Sequence, residues 1–451
     1  MLEASRQALA QFFELVETGI DLEAIWRSYQ ALRSPYDVTR RRPPLPVWAR
    51  RSFSENGMQA WEAVQREAAQ ADPHRGMSVY VHIPFCAEKC SFCDCYSFRL
   101  RSNHAQQASF YREALEKEVR LWSRTGRLSE LRVSTVHFGG GTPLFIGEQD
   151  FSQIVAVISR TLNVGPETEW ALETTSSALE DTGLDLLEGL DFKRIHVGVQ
   201  SLEDPLRRLL KRSEPAQVVL EKIRRTVKRG GIVSVDLIYG LPHQSPQSLL
   251  NDVRALAANG VDGFSLYPLQ ISSRNQAILK EYGSQGKNLL HEYWMLQAAE
   301  QVLNTLGYRK TLFNHYAREK DTNLYFTFPE RDEDCLALGT IADGVCGSYH
   351  YRHPEYRAYL NGVSEDFPGL QGGLRRTPLE ERVKPLEVMI LAGRLRRDAF
   401  DQILGWQQAE ASFRQWLDTA LIDPGEKGEY RLTASGSWFA GEMIGELPGK
   451  V

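Results

Sequence analysis

The chain has 451 residues, 53 basic against 58 acidic side chains for a formal charge of −5, and 42% hydrophobic content. This is too long for one small domain, and the slight acidity argues against a nucleic-acid or anionic-membrane binder. No apolar run reaches the roughly 18 residues of a transmembrane helix. Six cysteines are present, and Cys86, Cys90, Cys93 and Cys95 fall within ten positions. That clustering is no disulfide framework; it points to a metal or redox site in a reducing compartment, so a cytoplasmic protein is expected.

In chain order, residues 1 to about 33 read as helical. Leu9, Phe12, Phe13 and Val16 recur at helical spacing, and acidic residues interrupt the apolar pattern as they would not in a signal peptide. Ser34–Trp48 (S-P-Y-D-V-T-R-R-R-P-P-L-P-V-W) is an extended connector. From Ser78, β-branched runs alternate with amphipathic helices. Strands are expected at 78–83, 132–138, 168–174, 193–199, 232–239 and 261–268, with helices near 105–124, 148–162, 178–189, 203–229 and 246–258. This α/β alternation predicts parallel strands with crossover helices, closing as a partial (β/α)6 TIM-type barrel. After a long helix at 286–305, residues 309–375 look irregular but rich in aromatics and histidine. The helix-rich end resembles a small winged-helix-like domain with a packing or lid role. The expected division is a helical extension and connector (1–75), the barrel (76–310), an irregular substrate-side region (311–375) and a C-terminal helical domain (376–451).

Chemistry in such barrels sits at the C-terminal ends of strands. The unusual residues fall there: the cysteines after the first strand, Gly139-Gly140-Gly141-Thr142-Pro143 after the second, Glu173 ending the third, Gln200 ending the fourth, and Asp236 within a fifth that ends in Tyr239-Gly240-Leu241-Pro242. Cys86, Cys90 and Cys93, spaced C-x3-C-x2-C, offer three soft thiolates to an iron–sulfur cluster. Zinc, or buried thiols without metal, are the alternatives. Cys95 is a conceivable fourth ligand whose part the spacing leaves open. Consecutive glycines after a strand let a backbone approach a ligand closely.

Together these motifs resemble the radical S-adenosylmethionine (SAM) superfamily. More narrowly, Y-V-H-I-P-F-C-x3-C-x-F-C-x-C (80–95) is similar to the oxygen-independent coproporphyrinogen III oxidase-like (HemN-like) family. The resemblance spans roughly residues 36–450. It implies that Cys86, Cys90 and Cys93 ligate a [4Fe–4S] cluster, and that SAM chelates the fourth iron and is cleaved to a 5′-deoxyadenosyl radical. It places Tyr80 and Phe92 near SAM, gives Gly140, Gly141 and Thr142 the methionine moiety, and makes Glu173, Gln200, Arg212 and Asp236 further SAM contacts. Some relatives use a second SAM molecule.

For the reaction, 321–339 (D-T-N-L-Y…D-E-D-C-L-A-L-G) and the R-R-x-P-L-P connector resemble the branch that transfers methyl or methylene to an sp2 carbon, by methylation or cyclopropanation, and this reading is put first. Oxidative decarboxylation of coproporphyrinogen III is the alternative that Cys95 favours. A haem chaperone is a third reading. The implied partners are a small molecule (a tetrapyrrole or a secondary metabolite) and an electron donor such as flavodoxin or ferredoxin, with no nucleic acid and no membrane. Phe313–Tyr351, including Tyr316 and Tyr351, is expected to wall the substrate.

Overall fold

A computed structural model describes residues 5–16, 19–99 and 104–450. Six parallel strands carry the core: β1 (Gly76–Ile83), β2 (Arg132–Gly140), β3 (Glu169–Thr174), β4 (Phe192–Gln200), β5 (Ile232–Tyr239) and β6 (Gly263–Pro268), hydrogen-bonded in that order. Crossover helices such as His104–Ser123, Glu148–Thr161 and Ala216–Lys228 return the chain from one strand to the next. This is the partial (β/α)6 arrangement expected from the alternation, within a mixed α/β protein.

Strand periodicity explains why the barrel has a polar lumen. Side chains alternate faces along a strand. On β1, Met77, Val79, Val81 and Ile83 are fully buried in the apolar core, while Ser78, Tyr80 and His82 alternate with them. The register sets Tyr80 against His137 and His82 against Gly139, then Glu173 against His196, then Gly198 against Asp236. The polar positions of successive strands therefore meet around one axis.

Residues 311–375 are not irregular. β7 (His315–Ala317) pairs antiparallel with β6, and β8 (Asp334–Leu338) pairs parallel with β1. β9 (Asp343–Cys346), β10 (Tyr349–Arg352) and β11 (Gly372–Arg375) then continue the sheet as an antiparallel meander. These strands are three to five residues long, too short for a period-two pattern to stand out in sequence. Tyr351 is not a substrate wall: its ring packs in the core against Trp122, and its hydroxyl accepts from Ala337 N.

The C-terminal region joins helices Pro378–Ala392, Arg397–Leu404 and Trp406–Asp418 to a three-stranded antiparallel sheet (394–396, 429–432, 422–424). Thr377 opens its first helix with a capping box, and Gly393, at φ 73°, closes it in the left-handed conformation that glycine adopts most readily. The N-terminal extension has helices Arg6–Phe12 and Leu22–Ala31; residues 1–4 and 17–18 of the expected N-terminal helix lie outside the described residues. Among the described residues no helix is long and apolar enough to cross a membrane.

Candidate active site

The cysteine loop leaves β1 and is tied down on both sides. Ser91 Oγ donates to Leu209 O at 2.7 Å, Asn275 Nδ2 to Phe92 O at 2.7 Å, and Ser272 Oγ hydrogen-bonds Asp94. His82 fixes the return of the loop. Its Nε2 contacts the Tyr96 carbonyl at 3.0 Å and must donate to it, so Nδ1 accepts from Tyr80 Oη at 3.2 Å. Burial, which pushes its pKa down to about 4, keeps this imidazole neutral.

The donor set suits an iron–sulfur cluster. Cys86, Cys90, Cys93 and Cys95 are all free thiols. Two cations stand beside them: Lys89 Nζ lies 3.6 Å from Cys93 Sγ, and burial raises the Cys90 thiol with the Arg212 guanidinium opposing it. Cys93 is brought down to about 5, first by a hydrogen bond from Cys95 and then by Lys89. Positive charge beside thiolates is what a polyanionic cluster requires. Among the described residues no three His, Cys, Asp or Glu groups converge as ligands to a single metal ion. Thiolates spread over the corners of a cubane have no need to converge in that way. The sulfur of Cys95 is engaged with Cys93, which with burial and the nearby Glu173 raises its own pKa, and it lies near enough to Tyr80 and Tyr267 to act on them.

Opposite the loop, Gly139–Gly141 forms a cradle that side chains would fill. A Cβ on Gly139 would lie 2.7 Å from Glu173 Oε2; on Gly140, at φ 105°, it would lie 2.6 Å from the His82 ring; on Gly141, 2.5 Å from Phe85 O. The cradle is locked to the cysteine loop by Gly141 N–H to Ile83 O (2.8 Å) and Thr142 N–H to Phe85 O (2.7 Å). Thr142 is buried, and its side chain hydrogen-bonds the Cys86 thiol rather than opening onto the cleft.

The remaining expected residues line the same mouth. Tyr80 stacks on His137 (6.2 Å between centroids) and on Tyr325 (5.3 Å). Phe92 lies under the Arg212 guanidinium at 5.5 Å, and Arg212 Nε is buried without a hydrogen-bond partner. Gln200 sits at a β-bulge with φ 71°. Such a kink re-aims a side chain, and a Cβ on Gly198 would lie 2.9 Å from Gln200 Nε2 and 3.4 Å from Arg212 Nη2. Glu173 accepts from His137 Nε2 at 3.0 Å, and Asp236 accepts from His196 Nε2 at 2.6 Å. Burial raises the Glu173 pKa, but His137 and His196 outweigh it and hold the carboxylate charged. For His196 the same balance runs upward, with Asp236 overcoming burial.

His137, His196 and Tyr325 did not emerge from the motifs. The two histidines alternate with apolar residues on β2 and β4, which is a signal for lumen-facing positions. Tyr325 is in a turn, and only the fold brings it to Tyr80.

Next to this mouth lies a cavity of about 430 Å³. Tyr239, Tyr267, Phe313, Tyr316, Tyr325 and Phe326 form its aromatic walls, and Arg41 and Lys310 are its cations. Tyr325 belongs to both spaces: it lines the cavity and stacks on His137 at 4.2 Å.

Residues 80–256 match the Radical SAM superfamily model. The chain is 27% identical over 401 residues to oxygen-independent coproporphyrinogen III oxidase of Salmonella typhimurium, covering 83% of this chain and 86% of the relative. It is 26% identical over 300 residues to anaerobilin synthase of Escherichia coli O157:H7, covering 65% of each. The crystal structure of coproporphyrinogen III oxidase (HemN) from Escherichia coli shares the fold, with a TM-score of 0.74 over 88% of this chain and 95% of that one, at 23% identity. The cysteine loop, the glycine cradle and the six-stranded barrel thus match those of HemN-like radical SAM enzymes, a family that works with a [4Fe–4S] cluster and SAM.

Proposed function

We propose that the chain acts on a propionate-bearing tetrapyrrole of the coproporphyrinogen kind, initiating oxidative decarboxylation by hydrogen abstraction. The observation that carries this reading is the aromatic cavity sharing Tyr325 with the SAM mouth, so that a flat, carbon-rich substrate edge lies next to the radical source. Similarity to a coproporphyrinogen III oxidase over 83% of the chain supports it. Methyl or methylene transfer, which the sequence resemblance put first, has no such support among these relatives.

Cys86, Cys90 and Cys93 hold the cluster in this proposal, and the cluster with SAM supplies a 5′-deoxyadenosyl radical when reduced. Gly140 and Gly141 take the methionine end through a backbone that no side chain blocks. Glu173 and Asp236, oriented by their histidines, accept hydrogen bonds from SAM, with Gln200 and Arg212 on the other side. Tyr80 and Phe92 close over it, and Thr142 holds Cys86. The aromatic walls exclude water from the reacting carbon. A one-electron donor of the flavodoxin or ferredoxin type and a one-electron acceptor complete the scheme.

The test is anaerobic turnover of the reconstituted enzyme with reductant, SAM and coproporphyrinogen III. The expected products are 5′-deoxyadenosine and CO2 with a vinyl-bearing tetrapyrrole. S-adenosylhomocysteine with a methylated product would replace this reading by methyl transfer. Haem binding without turnover would replace it by a chaperone.

A further inference from the structure

The cavity has one charged end. Lys310 is in the two-residue strand that pairs with β7, and its ammonium lies 5.5 Å from the centroid of the Tyr316 ring, with one hydrogen bond to the Phe313 carbonyl. Arg41 comes from the proline-rich connector and lies 4.7 Å over the ring of Trp438, which the C-terminal domain supplies. Three segments distant in sequence thus bring two cations to one apolar space.

Neither cation has a carboxylate partner among the described residues. Arg41 Nε is buried without a hydrogen-bond partner, and buried donors are normally paired. Among the described residues neither Arg41 nor Lys310 forms an ion pair. The nearby acids are Glu300, Glu292 and Glu442. Burial favours the uncharged form of each, and Glu300 is further occupied by the Tyr316 hydroxyl at 2.6 Å. The position of Lys310 is also shaped from outside the cavity: a Cβ on Gly393 would lie 2.9 Å from its Cδ. Arg41, and Lys310, whose pKa burial pushes down to about 8 against the pull of Glu300, thus give this aromatic cavity a positive end without an ion-pair partner among the described residues, which carboxylates match in charge and hydrogen-bonding geometry.

We propose that Arg41 and Lys310 bind the carboxylate arms of the substrate and so set which edge of it faces the SAM mouth. This rests on the reading of the cavity as the substrate site, and it assigns the residues that discriminate a carboxylate-bearing ligand from its neutral counterpart.

The experiment is equilibrium binding to the cluster-loaded enzyme, by fluorescence, of coproporphyrin III (the stable aromatic form) and of its tetramethyl ester. Wild type, Lys310→Met, Lys310→Arg and Arg41→Gln are compared, with iron content, SAM affinity and melting temperature checked for each. The free acid is expected to bind wild type more tightly than the ester. Lys310→Met and Arg41→Gln should each weaken the acid about tenfold or more, leave the ester unchanged and leave SAM binding intact, and Lys310→Arg should restore most of the loss. Equal affinity of the variants for the acid, or equal loss for acid and ester, overturns the assignment while leaving the substrate reading standing. Failure of wild type to bind either porphyrin overturns both.

Discussion

Two layers of the barrel lumen hold histidine–carboxylate pairs, and they are put to different uses. In the lower layer Asp321 receives Arg194, His315 Nε2 (2.9 Å) and Ser234 Oγ (2.7 Å), and the side chains of Arg194, Asp321 and His315 are all 0% exposed. In the upper layer the histidines are as buried, but Glu173 and Asp236 keep 36% and 23% of their side chains exposed to the cleft. A carboxylate with every oxygen lone pair answered by the protein locks the fold. A carboxylate with one face open, held charged and oriented by an imidazole, is available to a ligand. The same pair of residue types is structural in one layer and poised for binding in the next.

The sharpest way to break this contrast is in the lower layer. Asp321→Asn leaves the Arg194 guanidinium buried without its counter-charge, for which losses of about 3–5 kcal/mol are typical. Chemical denaturation should show a destabilisation of that size, and SAM affinity measured on the folded fraction should stay near wild type. A loss under about 1 kcal/mol would remove the structural role claimed for this layer. Next in size is Gly140→Ala, which places a Cβ at φ 105° within 2.6 Å of the His82 ring. The strain costs about 1–3 kcal/mol of stability, and SAM binding should be largely lost while iron content is retained. Retention of SAM binding would show that the cradle does not hold the methionine end. Third is Glu173→Gln. Because its carboxylate is partly solvated, stability should change by less than about 1 kcal/mol, whereas SAM affinity should fall about tenfold through loss of charge-assisted hydrogen bonds. Calorimetric titration at constant pH measures it, and an unchanged affinity would assign Glu173 to the scaffold instead.

The upper layer was largely legible in sequence, and the lower layer was not, for a physical reason. Cys86, Gly140, Glu173 and Gln200 stand at strand ends, where local pattern and position coincide. Asp321 is in a loop after β7, and its partner Arg194 is 127 residues away; nothing local marks an aspartate that will be entirely enclosed. The short strands β8 to β11 carry too few residues to show a period of two, and β8 is placed by pairing with the distant β1. Phe313 and Tyr316 do line the cavity as expected, yet Tyr351, of the same composition, is core. Aromatic density announces a hydrophobic region without saying which side faces the ligand. The cavity's cations were hidden for a similar reason, since Arg41 reads as one of three consecutive arginines in a connector.

The smallest effect concerns how the layers respond to acid. Burial raises both carboxyls, but Glu173 is held below its ordinary 4.5 by His137 and His196, and Asp321 well below 3.8 by Arg194, His315 and Ser234. A depressed carboxyl stabilises the fold while ionised; that contribution is complete above the unfolded value and is lost as pH falls through the folded one. The upper layer should therefore discharge first. Melting temperatures of wild type and Glu173→Gln, followed from about pH 7 to about pH 3, should begin to converge as the pH falls below 4.5. The larger gap between wild type and Asp321→Asn should persist at that pH and close only under stronger acid. Simultaneous closure of both gaps would mean that the two layers titrate as one network, and the division between a locking carboxylate and a binding carboxylate would have to be given up.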